Sequence, residues 1–185
     1  MRGRLVRVSA RLLVSLGVAL TVTQCSSSGN ARPVVPTTSL VVTYGAQPTA
    51  SAQMVCGTEG QAAVNAAFNM TGLVVTTPTW VDHLYGCTYQ YPSGSFDLSV
   101  KELPTIAATV DYFTSLKAKF TGAQPLALGQ DGFTSADGTS VVRKDNKVLV
   151  VDVAKLPAHF GSPSQTRTVA SQDIAVTLLG CWTGD

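Results

Sequence analysis

WVDHLYGCTYQYPSGSFDLSV, residues 80–100, is the stretch that decides the fold. Tyr85, Cys87, Tyr89 and Tyr91 share one parity and Gly86, Thr88 and Gln90 the other. This is the two-residue period of a strand buried on one face. Pro92-Ser93-Gly94 breaks the run, after which Phe96, Leu98 and Val100 alternate with Ser95, Asp97, Ser99 and Lys101. A slip of one residue would turn every apolar side chain of the second strand to solvent, so the hairpin register is well specified. The expected unit is an antiparallel hairpin with an aromatic face directed at the core and Cys87 on that face.

On the N-terminal side, Thr58-Glu59-Gly60-Gln61 has the form of a capping box, and Gly60, Ala63, Val64, Ala67 and Phe68 follow as a helical stripe of mostly small residues. On the C-terminal side, Pro104 suits a first helical turn, and Ile106, Val110, Phe113, Leu116 and Phe120 recur at helical spacing up to Gly122. Residues 124–130 read as a loop. The period then returns to strands at 132–136, 139–144 and 147–153, with turns at Asp137-Gly138 and Asp145-Asn146. Val148-Leu149-Val150-Val151 is apolar at both parities, which places it inside the sheet. A last helix is expected from Ser162-Pro163-Ser164-Gln165, with the stripe Ala170, Ile174, Leu178 and Cys181. The sum is an α+β domain: an antiparallel sheet of about five strands built from hairpins, with helices packed on it.

Ahead of this domain, Arg2, Arg4, Arg7 and Arg11 precede the apolar run 12–22, in the charge order of a secretory signal and too short for a stable span. Val22-Thr23-Gln24-Cys25 and the polar tract after it then resemble a bacterial lipoprotein signal, with Cys25 as the lipid-bearing first residue of the mature chain. Gln24 departs from the small residue usual before such a cysteine. Cleavage after Ala31, with release of a soluble protein, is the alternative. The expected layout is a signal over 1–24, a Ser/Thr/Pro-rich tether over 25–53, with a short edge strand possible at 39–44, and a single domain over 54–185.

Export puts the remaining cysteines in an oxidising compartment, where a disulfide is expected. Cys56 directly precedes the first helix and Cys87 lies on the apolar face of the first strand, so their pairing would staple helix to sheet. Cys181 is left over and, on its stripe, is expected to be a small buried hydrophobe, a reactive or intermolecular thiol being the alternative.

With the four signal arginines set aside, nine basic residues face 11 acidic ones, a net of −2. No basic patch remains to bind nucleic acid. A Ser-His-Asp hydrolase has no Gly-x-Ser-x-Gly elbow to use. His83 and His159 are the only histidines; Asp82 adjoins His83, but strand neighbours point to opposite faces, and His159 falls in a loop. No spacing of His and Cys suits zinc, and Asp131, Asp137, Asp145 and Asp152 fit no calcium loop. Glycine loops for phosphate and a Cys-x-x-Cys motif are absent, so no cofactor, metal or catalytic residue is assigned and the protein is not expected to be an enzyme. Asn69-Met70-Thr71 matches a glycosylation sequon, discounted behind a bacterial signal. Trp80, Tyr85, Tyr89, Tyr91 and Phe96 are either core filling or the wall of a shallow apolar groove.

Cys56 before an Ala-rich helix, Gly86-Cys87-Thr88-Tyr89, and Leu128-Gly129-Gln130-Asp131-Gly132-Phe133 leading into Val141-Val142-Arg143-Lys144 resemble the small exported lipoproteins of actinobacteria, some of which are similar to the PsbP-like fold. The resemblance covers about 54–182. It implies an antiparallel sheet flanked by helices, export, anchoring at the outer face of the cell membrane through Cys25, and a noncatalytic role. The expected function is a binding module for an envelope protein or an amphiphilic ligand. The alternatives are an envelope hydrolase with an unrecognised nucleophile and a purely structural envelope subunit.

Overall fold

The computed structural model describes residues 41–182, so the signal, Cys25 and most of the tether lie outside the described residues. The hairpin forms with the expected register. Strands Leu84–Tyr91 (β3) and Gly94–Glu102 (β4) pair from Leu84↔Lys101 to Tyr91↔Gly94 around a two-residue turn. Tyr89, Tyr91, Phe96, Leu98 and Val100 are buried on one face.

The chain runs through short helix Ala50–Met54 (α1), helix Thr58–Phe68 (α2), strands Val74–Val75 (β1) and Thr79–Val81 (β2), and the hairpin β3–β4. Helix Ile106–Lys119 (α3) follows, then strands Gln124–Pro125 (β5), Asp131–Thr134 (β6), Ser140–Lys144 (β7) and Lys147–Asp152 (β8). A two-stranded ribbon of His159–Phe160 (β9) and Gln165–Thr166 (β10) leads into helix Arg167–Cys181 (α4). The main sheet is antiparallel in the order β1-β3-β4-β8-β7-β6-β5, with β2 also on the outer edge of β3. The α+β class therefore holds, with eight strands in the main sheet where about five were expected, because β1, β2 and β5 are only two or three residues long. The apolar strand β8 lies between β4 and β7, inside the sheet.

The two faces are covered unequally. One carries Cys87, Tyr89, Phe96, Leu98, Leu149 and Val151 against α2 and α4, in the larger core. On the other, Phe133, Val141 and Val148 meet Phe113, Leu116 and Phe120 of α3 and the residue that follows it. That helix lies on β7 and β8 and reaches β4 at Lys101, whose ammonium stands 6.0 Å from the centre of the Tyr112 ring, whereas the part of this face around Gly86, Thr88, Asp97 and Ser99 opens into a cleft.

Cys56 and Cys87 are joined, with Cα atoms 6.0 Å apart. The staple lies beside the Tyr89 hydroxyl, which donates to the Val55 carbonyl at 2.8 Å, so the bridge and a buried hydrogen bond fix the same junction of helix and strand.

Several expectations need correction. The packed chain begins before Met54: α1 starts inside the stretch read as tether, at Ala50, and Ala52 within that stretch is fully buried. Its cap, Thr49, donates to the buried Glu102 carboxylate of β4. Residues 41–44 form no strand, although the Val42 amide donates to the Pro104 carbonyl at 2.8 Å. The cap of α2 is Gly57, and the Gln61 side-chain amide donates to the Cys56 carbonyl at 2.8 Å, two residues before Thr58, instead of accepting from the Thr58 amide as a box on Thr58 requires. In α3 the cap is Thr105, so Pro104 precedes the helix instead of lying in its first turn, and the buried face turns on Thr109 and Phe113 while Ile106 and Val110 face solvent. Thr109 is tolerated there because its hydroxyl donates to the Thr105 carbonyl at 2.7 Å.

The proposed start of the last helix is a turn containing the Ser162-Pro163 bond, and α4 is capped by Thr166. Cys181 is exposed, not a core residue. Ala170, Ile174 and Leu178 are buried as expected, but the stripe continues through Ala175 and Leu179 to Trp182, and this rotation leaves Cys181 outside.

Candidate functional site

Strand parity builds the open half of the second face. Gly86, Thr88 and Gln90 of β3 stand opposite Ser99, Asp97 and Ser95 of β4. The outer edge adds Thr79 of β2, opposite Gly86, and Thr76, whose amide and hydroxyl bond the backbone of Thr88 at 3.0 and 2.9 Å. Of these, Thr76, Thr79, Gly86, Thr88, Asp97 and Ser99 line a cleft of about 260 Å³, with Leu84 at its end. Its middle is deep because Gly86 has no side chain: a Cβ there would stand 2.9 Å from the Leu98 carbonyl oxygen and 3.1 Å from the Ser99 Cβ.

The polar groups divide into fixed and free. Asp97 accepts from the Thr88 hydroxyl at 2.5 Å and from the Lys155 ammonium at 2.8 Å. That hydrogen bond, with the carboxylate charge, holds Lys155 above the ordinary lysine range. By contrast, the hydroxyls of Thr77, Thr79 and Ser99 have no partner among the described residues. The result is a row of donors and acceptors on a rigid hairpin, suited to holding a hydrogen-bonding partner.

A second cleft of about 320 Å³ lies over the start of α2, lined by Gln53, Met54, Thr58, Glu59 and Tyr85. Burial pushes the Tyr85 hydroxyl above the ordinary tyrosine range. Glu59 already supplies the negative charge that a helix N-terminus favours, so this cleft reads as a completed helix start.

Most of the aromatic hairpin is core. Tyr89 and Tyr91 stack on Phe96 at 4.9 and 6.3 Å, and Phe68 and Phe160 close the cluster edge-on. The Tyr91 hydroxyl donates to Asn65 at 2.9 Å. The apolar groove rimmed by tyrosine hydroxyls is therefore not formed by Tyr89 or Tyr91, both of which are buried. Burial raises the Tyr91 hydroxyl to about 12. A tyrosine whose folded pKa is raised adds stability below its unfolded value near 10 and loses that contribution as pH rises towards the folded value. Urea midpoints should fall between pH 10 and 12, and Tyr91→Phe should flatten that fall; an equally steep fall in the variant would remove Tyr91 as its source.

The histidines lie elsewhere. Asp82 and His83 form the two-residue turn between β2 and β3, both with left-handed φ, 50° and 57°, and are not strand neighbours. His83 lies edge-on to Trp80 at 5.4 Å, and His159 is exposed on β9. Among the described residues no group of three or more His, Cys, Asp or Glu is placed to hold a metal, and no helix is long and apolar enough to cross a membrane.

The parity of Gly86, Thr88, Asp97 and Ser99 was visible in the sequence. What it did not show was that α3 would cover only half of their face. No family model matches the chain, and no curated protein or solved structure does either.

Proposed function

We propose that the protein is a noncatalytic binding module of the cell envelope, held at the outer face of the membrane by a lipid on Cys25, as in the actinobacterial lipoproteins it resembles. The observation that carries the binding role is the uncovered half-face: a cleft with a glycine floor and free hydroxyls, where the opposite half of the same face is sealed by α3. Its walls set free hydroxyls in a largely apolar lining, which fits an amphiphile or a mixed polar and apolar surface of an envelope protein.

The test is site-specific photo-crosslinking of the full chain in the bacterial envelope, with the photoreactive residue at Thr79 or Ser99 and a control at Thr114, exposed on α3. Adducts are expected from Thr79 and Ser99 and not from Thr114, and their mass tells protein from amphiphile. Equal adducts from Thr114, or none from the cleft positions, would count against the cleft as the contact surface.

A further inference from the structure

One end of the sheet gathers the β2–β3 turn, the last residue of β4, the β7–β8 turn and the first described residues of the chain. The pairings fix this: Leu84 lies opposite Lys101, Glu102 opposite Lys147, and Lys144 opposite Lys147 across Asp145-Asn146. The Leu103 amide donates to the Asn146 carbonyl at 2.9 Å and the Val42 amide to the Pro104 carbonyl at 2.8 Å. Trp80 donates its indole N–H to the Ala46 carbonyl at 3.0 Å, and the Tyr44 ring lies 6.2 Å from His83.

Five apolar side chains stand in solvent at this end. Val41 is 67 % exposed, Val81 64 %, Ile106 45 %, Val42 40 % and Leu84 38 %. Single exposed valines, such as Val169 and Val176 on α4, need no explanation. Five at one end, backed by half-buried Trp80 and Tyr44, do.

We propose that this end of the sheet rests on the surface of a lipid bilayer, with the five apolar side chains entering the headgroup region and Trp80 and Tyr44 at the depth aromatic residues favour there. The proposal rests on the reading of Cys25 as the lipid-bearing residue. The position of that residue selects lipid over other occupants: Val41 is sixteen residues beyond Cys25, a reach of at most about 55 Å. The anchored chain therefore enters the described domain at the apolar end itself. Charge does little to hold the contact, because the exposed Asp82 and Asp145 at the turn tips offset Lys101 and Lys144 beside them. The Lys101 ammonium is already bonded to the Asp82 carbonyl and that of Lys144 to the Trp182 carbonyl.

The experiment reconstitutes the full chain from the bacterial envelope into vesicles of phosphatidylethanolamine and phosphatidylglycerol carrying a photoactivatable acyl chain, and maps the labelled peptides. Label is expected on the peptides containing Val41, Val42, Val81, Leu84 and Ile106, at low and at high salt alike, and not on the peptide from Val169 to Val176. Val81→Asp with Ile106→Asp, both exposed and so tolerated by the core, should cut the label at Val41 and Leu84 at least tenfold while label before residue 41 persists. Label confined to residues before 41, or equal label at Val176, would overturn the proposal and leave the anchor standing. No label anywhere would overturn both.

Discussion

Replacing Cys87 by Ser lowers the melting temperature of the exported protein by roughly 10 °C. The bridge closes a loop with a sequence separation of 31 residues, worth about 3.5 to 4 kcal/mol in the chain-entropy model. For a domain of this size each kcal/mol moves the midpoint by about 2 to 4 °C. The loss is a large share of a total stability of about 5 to 15 kcal/mol. It also falls on a junction with little redundancy, since Cys56 and Cys87 are both buried in the core beside the Val55–Tyr89 hydrogen bond. Thermal melts followed by circular dichroism, with Cys56→Ser/Cys87→Ser alongside to remove the stranded thiol, give the answer. A midpoint unchanged in both variants would mean that the staple contributes nothing to stability.

Phe96→Ala costs about 3 to 5 kcal/mol, the range for emptying a fully enclosed aromatic site. Phe96 is wholly buried and touches three rings, Tyr89, Tyr91 and Phe68, so one truncation removes the centre of the contact between the hairpin and α2. The rings around it come from β3 and α2 and cannot collapse together without moving α2 off the sheet. Ile106→Ala is the matching control, since Ile106 is 45 % exposed and its loss should cost no more than about 0.5 kcal/mol. Urea midpoints separate the two, and similar values would contradict the assignment of Phe96 to the centre of the core. The Phe96 and Cys87 effects should not add, because Cys87 pairs with Leu98 and Phe96 with Tyr89 on the same strands.

The parts of the fold legible in the sequence were those with a long, clean period. The alternation of Tyr85 to Tyr91 and of Phe96 to Val100 gave strand, register and buried face together, and Asp145-Asn146 placed the β7–β8 turn. Strands β1, β2 and β5 have too few residues for any period to register, and Asp82-His83 lacks the glycine that marks a tight hairpin turn. Short-range propensity also misled. In α3 the apolar Ile106 and Val110 suggested one face, whereas Thr109, with its hydroxyl satisfied inside its own helix, took the sheet side. Cys181 was misplaced for a similar reason: several rotations of α4 fit an apolar stripe, and Trp182 decides among them by entering the core.

The candidate site was half legible. Gly86, Thr88, Asp97 and Ser99 stand out in the sequence as the polar parity of the hairpin, whereas Thr76, Thr77 and Thr79 do not, and a polar face means solvent or a partner depending on what covers it. That is a property of where α3, which begins four residues after β4 ends, lands on the sheet.

The disulfide also governs how the domain bears load. A pull on the N-terminal side meets the Val42–Pro104 hydrogen bond first, then the grip of Thr49 on Glu102, and only then Cys56. There the tension passes through covalent sulfur into β3 and bypasses α2. Unravelling from that side therefore stops after fifteen residues, 41–55, or about 50 Å of released chain. Whatever is held at Thr88 or Ser99 stays in mechanical continuity with the N-terminal chain even when the first helix has been drawn off.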